Sequence, residues 1–204
     1  MSFLKNIRNI FHPQNKQPKK FHDSFYDQDT DLRWISITKD KFDEFANEFS
    51  QMNSWSSNEN IQKYISSRTP IDKLFKIMAP SANQDFITGG LYFAYENNDF
   101  VGILKTSEPF GNNSHATIEF IVVNPQLQGN GYGTRMIKSA SKHLISDISH
   151  GIMSSVEYGN TASAKAFEKS GFVNIDSNAS NSGRRYKIFH LKPQTLNSDQ
   201  IVME

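Results

Sequence analysis

The segment that most constrains this chain is "NPQLQGNGYGTRM", Asn124 to Met136, which joins the apolar run "HATIEFIVV" to the periodic segment "TRMIKSASKHLISDI". Gly129, Gly131 and Gly133 alternate where a strand pattern gives way to a helix pattern. Without a Cβ, Gly131 and Gly133 let successive amides from about Gln128 to Thr134 turn toward one concave point. At a helix N-terminus those amides are orphan donors at the positive end of the macrodipole. That setting stabilises an exposed anion by about 0.3–1 kcal/mol and a partly buried one by up to ~2 kcal/mol. A diphosphate fits it.

Spacing narrows the choice. The P-loop requires a closing Lys-Ser or Lys-Thr, which is absent here. The dinucleotide fingerprint would require glycine at 134, where Thr134 stands. What remains is Gln128-x-x-Gly131-x-Gly133, opening a helix expected to run to about Ile148.

Around this junction the elements can be read in order. "LRWISIT" is a strand, "KDKFDEFANEFSQM" an amphipathic helix with Phe42, Phe45 and Phe49 inward, and "NENIQKYISSR" a short helix, with "PIDKLFKIMAP" a candidate third. "LYFAYENNDFVGILKTS" is a hairpin about an Asn-Asn-Asp turn, and "HATIEFIVV" is the strand that feeds the glycine loop. After the long helix come the strand "GIMSSVEYG", the helix "NTASAKAFEKSGF" and a last hairpin, "FVNID" with "RRYKIFHLK". This order predicts an α/β (mixed α+β) fold. Its sheet is twisted, mostly antiparallel and of about six to seven strands, with helices on both faces.

The loop and the second helix together resemble the GNAT superfamily of N-acetyltransferases. Gln128-x-x-Gly131-x-Gly133 matches the family's Q/R-x-x-G-x-G/A signature, and Val123-Asn124-Pro125 looks like its valine-x-proline entry. "NTASAKAFEKSGF" resembles the family's asparagine-led helix, with Asn160, Ala164, Phe167, Glu168, Lys169, Gly171 and Phe172 in register. The resemblance implies a GNAT-like fold from about Leu32 to Leu191. It also implies an enzyme that moves an acetyl group from acetyl-CoA to a primary amine of a small molecule or protein, with coenzyme A as product.

By that resemblance, Gln128, Gly129, Asn130, Gly131, Tyr132, Gly133 and Thr134 cradle the diphosphate, and the backbone of Ile121, Val122 and Val123 pairs with the pantetheine arm as an added strand does. The Val123 N–H polarises the thioester carbonyl. Asn160 bonds to the same arm, a role that competes with capping its own helix. One position departs from the family: many relatives carry a tyrosine proton donor where this chain has Phe167. Tyr158, or a water held by Ser163, are the substitutes within reach in sequence. Phe167 can pack on the cofactor arm.

The chemistry asks for a base. A lysine-like amine with pKa ~10.4 costs about 4.6 kcal/mol to neutralise at pH 7. Strict alternation along "HATIEFIVV" places Ala116, Ile118, Phe120 and Val122 on one face and Thr117, Glu119, Ile121 and Val123 on the other. Glu119 is the odd carboxylate on a central strand and the candidate base. Its structural alternative is an ion pair with Arg33 or Lys105.

Composition adds boundaries. The 204 residues suit one domain, with 22 basic and 21 acidic side chains giving no general argument for a nucleic-acid partner. Cysteine is absent, which removes disulfides and thiolate chemistry, and the six histidines show no ligand spacing, so no metal is expected. No apolar run reaches the ~20 residues of a membrane span and the N-terminus has no signal-peptide pattern, so a cytoplasmic protein is expected.

Residues 1–30 read as a basic amphipathic segment and linker, 31–193 as the acetyltransferase domain and 194–204 as a flexible tail. Phe3, Leu4, Ile7, Ile10 and Phe11 share a helical face, compatible with docking on the domain, a second copy or a membrane surface. That stripe and the edge strand "RRYKIFHLK" are the surfaces a homodimer would use. Two other functions fit the same motifs. One is an acyl-CoA-binding module without turnover, recruited through its N-terminal helix, and the other is an acetyltransferase acting on aminoacyl-tRNA. The acceptor cleft is expected between roughly Ser50 to Asp85 and the last hairpin, with Trp55, Tyr64 and Arg68 as lining candidates.

Overall fold

The computed structural model describes residues 24–66, 90–107, 115–143, 151–181 and 184–192. The N-terminal stripe, the helix expected over "PIDKLFKIMAP", Arg68, the Phe42 side chain, the extension of the long helix to Ile148 and the tail lie outside the described residues.

Eight strands form one sheet: β1 (Ser24–Asp27), β2 (Leu32–Ser36), β3 (Leu91–Glu96), β4 (Asp99–Ser107), β5 (Ala116–Val123), β6 (Ile152–Glu157), β7 (Val173–Asn181) and β8 (Arg184–Leu191), in the order β1-β2-β3-β4-β5-β6-β8-β7. Neighbours pair antiparallel except β5 and β6, which run parallel. The mixed, mostly antiparallel architecture is the one the element order predicts. The sheet is one strand longer than expected, because β1 lies in the stretch read as linker. Its four residues are too few and too polar to carry a periodic signal, and pairing with β2 makes the strand. "RRYKIFHLK", expected as an edge strand, is β8, paired with β6 on one side and β7 on the other, so the edge belongs to β7.

Two apolar cores hold helices to the two faces. One unites Leu32, Trp34, Leu104 and Ile118 of the sheet with Met136, Ile137 and Ala140 of α3 (Tyr132–His143) and Ala164 and Phe167 of α4 (Thr161–Lys169). The other sets Ile35, Phe93, Ile103 and Val122 against Phe45, Met52, Trp55 and Ile61. The helix expected over Lys39–Met52 is two pieces, a 3-10 stretch Lys39–Phe45 followed by α1 (Ala46–Ser54), and a short turn α2 (Glu59–Ile61) follows. Phe45 is buried and Phe49 packs against its core, as the spacing predicts. Trp55 is 5% exposed and stacks on Phe100 at 5.4 Å, so it is a core residue and not a lining of the cleft.

The strict alternation expected along β5 does not hold. Pairing steps from Thr106–Ile118 to Lys105–Phe120, so Glu119 is a bulge residue with no partner on β4. The extra residue inverts the phase: Ala116 and Ile118 share the α3 face with Ile121 and Val123, while Phe120 and Val122 turn to the other core.

Candidate active site

The site is a wedge between β5 and β6. Their parallel pairing is limited to Ala116–Ile152 and Thr117–Met153. Beyond it the strands diverge, Ser154 Oγ donates to Ile118 O at 2.9 Å, and the β6-facing edge of β5 has no strand partner. The bulge at Glu119 stands at the point of divergence. The resulting cleft, of about 540 Å³, runs from the Tyr64 and Tyr186 side chains past Glu119 and the β5 edge to the glycine loop and α4.

The glycine loop closes one end. Asn124, 5% exposed, accepts from the Gln126 amide at 3.1 Å and donates to Phe100 O at 3.2 Å, which starts a 3-10 turn over Pro125–Leu127. Gln128 Nε2 then donates to Val123 O at 3.2 Å, and Asn130 Nδ2 contacts the Leu127 and Gln128 carbonyls at 3.4 Å. Gly129 and Gly131 both have φ of +83°, in the left-handed region. Gly133 sits instead in the first turn of α3 with ordinary φ, where a Cβ would meet Ala166 Cβ and Val123 Cγ2 at 3.8 Å. The expectation that Gly131 and Gly133 shape the loop is thus shifted by one glycine toward the N-terminus.

The first backbone amide of this segment to find an acceptor is that of Arg135, which donates to Gly131 O at 3.1 Å. Among the described residues, no acceptor faces the amides from Gly129 to Thr134. A run of unsatisfied donors at the mouth of a helix of 12 residues has the geometry that suits an anion. Two buttresses hold α3 in place. Glu96 at the end of β3 accepts from the Tyr132 hydroxyl and pairs with Arg135 at 2.6 Å, and Trp34 Nε1 donates to Ser139 Oγ at 2.8 Å. The Tyr132 bond first, and then Arg135, hold the Glu96 carboxyl below its ordinary range, and the same bond raises the Tyr132 phenol.

A sequence profile of the acetyltransferase (GNAT) family matches residues 53–172, more than half of the chain. The chain belongs to that family. Among solved structures, it is similar to the spermidine N-acetyltransferase from Vibrio cholerae in complex with CoA and spermine. The TM-score is 0.58 at 17% identity, covering 79% of this chain and 95% of the other. An aminoglycoside acetyltransferase in complex with coenzyme A gives 0.58 at 14%, covering 77% and 93%. A GNAT-family acetyltransferase from Bacillus cereus gives 0.50 at 17%, covering 79% and 96%. At these identities the likeness is one of fold. No curated protein sequence matches.

GNAT enzymes use acetyl-CoA, and the residues present fit it: an anion mouth, a strand edge open to an added strand and a cleft joining the two. Of the residues the sequence singles out, Glu119, the Ile121–Val123 strand, the loop except Asn130, Asn160, Ser163 and Phe167 all border the cleft. Asn130 instead braces the loop. Glu119 is paired with Lys105 at 2.7 Å, one of the two partners foreseen for a structural role. Asn160 Oδ1 accepts from the Ser163 amide at 3.2 Å, so it does cap α4, and the cap leaves Nδ2 as a donor. Phe167 is 1% exposed, stacked on Phe189 at 5.7 Å and edge-on to Phe172 at 5.1 Å.

Tyr158 stands outside the cleft lining. It is 50% exposed, lies beneath the Arg185 guanidinium at 4.5 Å and does not border the cleft, because the turn after β6 carries its ring outward. Sequence reasoning missed Lys165 and Lys169, which line the cleft from α4 one helical turn apart. Their i, i+4 spacing in the second motif was the available signal. It also missed Tyr186, visible only as one residue of a hairpin, which β8 sets opposite Glu157 in the wall. No group of three metal-ligating side chains occurs among the described residues. No described helix is long and apolar enough to cross a membrane.

Proposed function

We propose that this chain is an N-acetyltransferase that passes the acetyl group of acetyl-CoA directly to a primary amine in a ternary complex. The observation that carries the reading is the run of unaccepted amides from Gly129 to Thr134, beside the partnerless edge of β5. Acetyl-CoA bound there supplies an acetyl group activated as a thioester. The loop amides and the first turn of α3 hold its diphosphate, with Lys165 and Lys169 adding positive charge from α4. The β5 edge at Ile121–Val123 orients the pantetheine arm, the Val123 N–H polarises the carbonyl, and Asn160 Nδ2 and Ser163 fix the arm from the head of α4.

Glu119 accepts the proton that the attacking amine must lose. The bulge turns it into the cleft, within reach of an acceptor entering past Tyr64 and Tyr186. Such general-base assistance contributes about 10²–10⁴-fold. Phe167 has no proton to give, so the thiolate, with a reference pKa of ~8.5, departs without help from α4. That CoA and spermine bind the Vibrio enzyme supports an amine acceptor for this cleft.

The test is thiol release from acetyl-CoA with a panel of primary amines. Release above background with at least one amine is expected, and none with any amine would overturn the reading. The placement of Phe167 and Tyr158 favours a second reading, a module that binds acyl-CoA without turnover. Acetyl-CoA binding by calorimetry together with the absence of thiol release would establish it.

A further inference from the structure

Resting on the reading of this cleft as an N-acetyltransferase site, we propose that its acceptor is a monoamine with an aromatic or aliphatic body, and not a polycation. The acceptor end of the wedge is walled by Ile61, Tyr64, Phe120 and Tyr186. Ile61 is 2% exposed, and Phe120 packs against the core under α1. The Tyr64 hydroxyl donates to Gly159 O at 2.8 Å, which ties its ring across to the turn between β6 and α4. A held ring of this kind gives a ligand apolar contact area at little further loss of conformational freedom.

Charge points the same way. Among the described residues, two carboxylates border the acceptor end, and each is matched by a cation. Glu119 pairs with Lys105 at 2.7 Å, and Arg184 Nη1 contacts both Glu157 oxygens, at 3.0 and 3.3 Å. A polycation entering here would have to displace Lys105 or Arg184 to find a counter-charge. Lys63, over the ring of the wall residue Tyr64 at 5.2 Å, adds a further positive charge beside it. One ammonium, deprotonated by Glu119 so that its nitrogen can attack the thioester carbonyl, suits this end; several do not.

The experiment compares kcat/KM for phenethylamine and hexylamine with that for spermidine and kanamycin, with acetyl-CoA saturating and its Kd measured in parallel. We expect phenethylamine to exceed both polycations by at least about tenfold. Tyr64→Ala should raise the KM for phenethylamine about tenfold with the acetyl-CoA Kd unchanged, and Tyr64→Phe, which keeps the ring but loses its tie to Gly159 O, should raise it by less. If spermidine or kanamycin equals or exceeds phenethylamine, this inference falls while the assignment as an N-acetyltransferase stands. If acetyl-CoA binds but no amine is acetylated, both fall. The wild-type ranking decides the matter even if Tyr64→Ala does not fold.

Discussion

Lys105 Nζ stands 2.7 Å from Glu119 Oε2, so the carboxylate that the bulge turns into the cleft is held by a cation from the neighbouring strand. The pair defines two separable roles. If Glu119 takes the amine proton, Glu119→Gln keeps its shape and removes the acceptor. The expected result is a fall in kcat of about 10²–10⁴-fold with the acetyl-CoA Kd unchanged. If Glu119 serves only as the partner of Lys105, Glu119→Gln and Lys105→Met will lower stability alike and leave kcat untouched. With the Glu119 side chain 37% exposed, that stability change is within about 1 kcal/mol.

The glycine loop gives a prediction with two arms. Gly131 has φ of +83° and open space where a Cβ would point, so Gly131→Ala acts through backbone strain, of about 1–2 kcal/mol, and not through collision. Relieving that strain turns the amides away, and acetyl-CoA binding should weaken by about tenfold or more. Gly131→Asn, which tolerates the left-handed region, should recover part of the loss. Gly133→Ala is different. Its helical position should leave stability equal or raise it by about 0.5–1 kcal/mol, while its Cβ, in ordinary contact with Val123 and Ala166 at 3.8 Å, narrows the cleft and weakens binding. Thermal melts and calorimetry on the three variants separate these effects.

The contrast between those glycines shows what the sequence can and cannot convey. The strand-loop-helix junction, the second motif and the hairpin about Asn97 were legible because each is a local pattern, and Asn97 takes the positive φ of 56° that such a turn favours. The bulge was not, because whether β5 gains a residue depends on its pairing with Lys105 and Thr106, some distance back along the chain. For the same reason the faces of Phe120 and Ile121 were exchanged. Tyr158 and Tyr186 differ in orientation alone, one turned out under Arg185 and one set into the cleft wall, and no spacing rule distinguishes them. Trp55 was ambiguous in sequence between cleft and core, and its stacking on Phe100 is a contact between segments far apart in the chain.

Glu96 makes the stability of the anion mouth depend on pH. Hydrogen bonds from Tyr132 and then Arg135 hold its carboxyl below the ordinary range. A depressed folded value means the stabilisation is fully present above the unfolded value of about 4.3 and is lost as pH falls through the folded one. Glu96→Gln should therefore melt below the wild type at about pH 6, by about 2–4 °C for a contribution near 1 kcal/mol, and the two curves should converge as pH falls through the folded value of Glu96. Asp27 titrates in both proteins. Burial pushes its carboxyl up, but hydrogen bonds from Ser139, Thr30 and the Asp29 amide hold it low, so both proteins lose stability in acid. The difference between the curves isolates Glu96. A gap that persisted at low pH would show that the carboxylate charge is not what braces α3.

The proton for the leaving group is the last open position, and the two aromatic side chains nearest in sequence to that role make opposite predictions. Tyr158 is half exposed with its ring against Arg185. Tyr158→Phe should leave kcat within about twofold, the range of an ordinary surface change. A loss of about 100-fold would place its hydroxyl on the reacting sulfur in the working enzyme. Phe167, 1% exposed between Phe189 and Phe172, has the reverse problem. Phe167→Tyr adds a hydroxyl to a packed ring, at about 1–3 kcal/mol if it finds no partner. Because Phe167 also borders the cleft, that hydroxyl can find its partner there. A lowered melting temperature with unchanged kcat would mean that thiolate departure is not limiting. A rise in kcat would mean that it is, and that the chain otherwise works without a proton donor on α4.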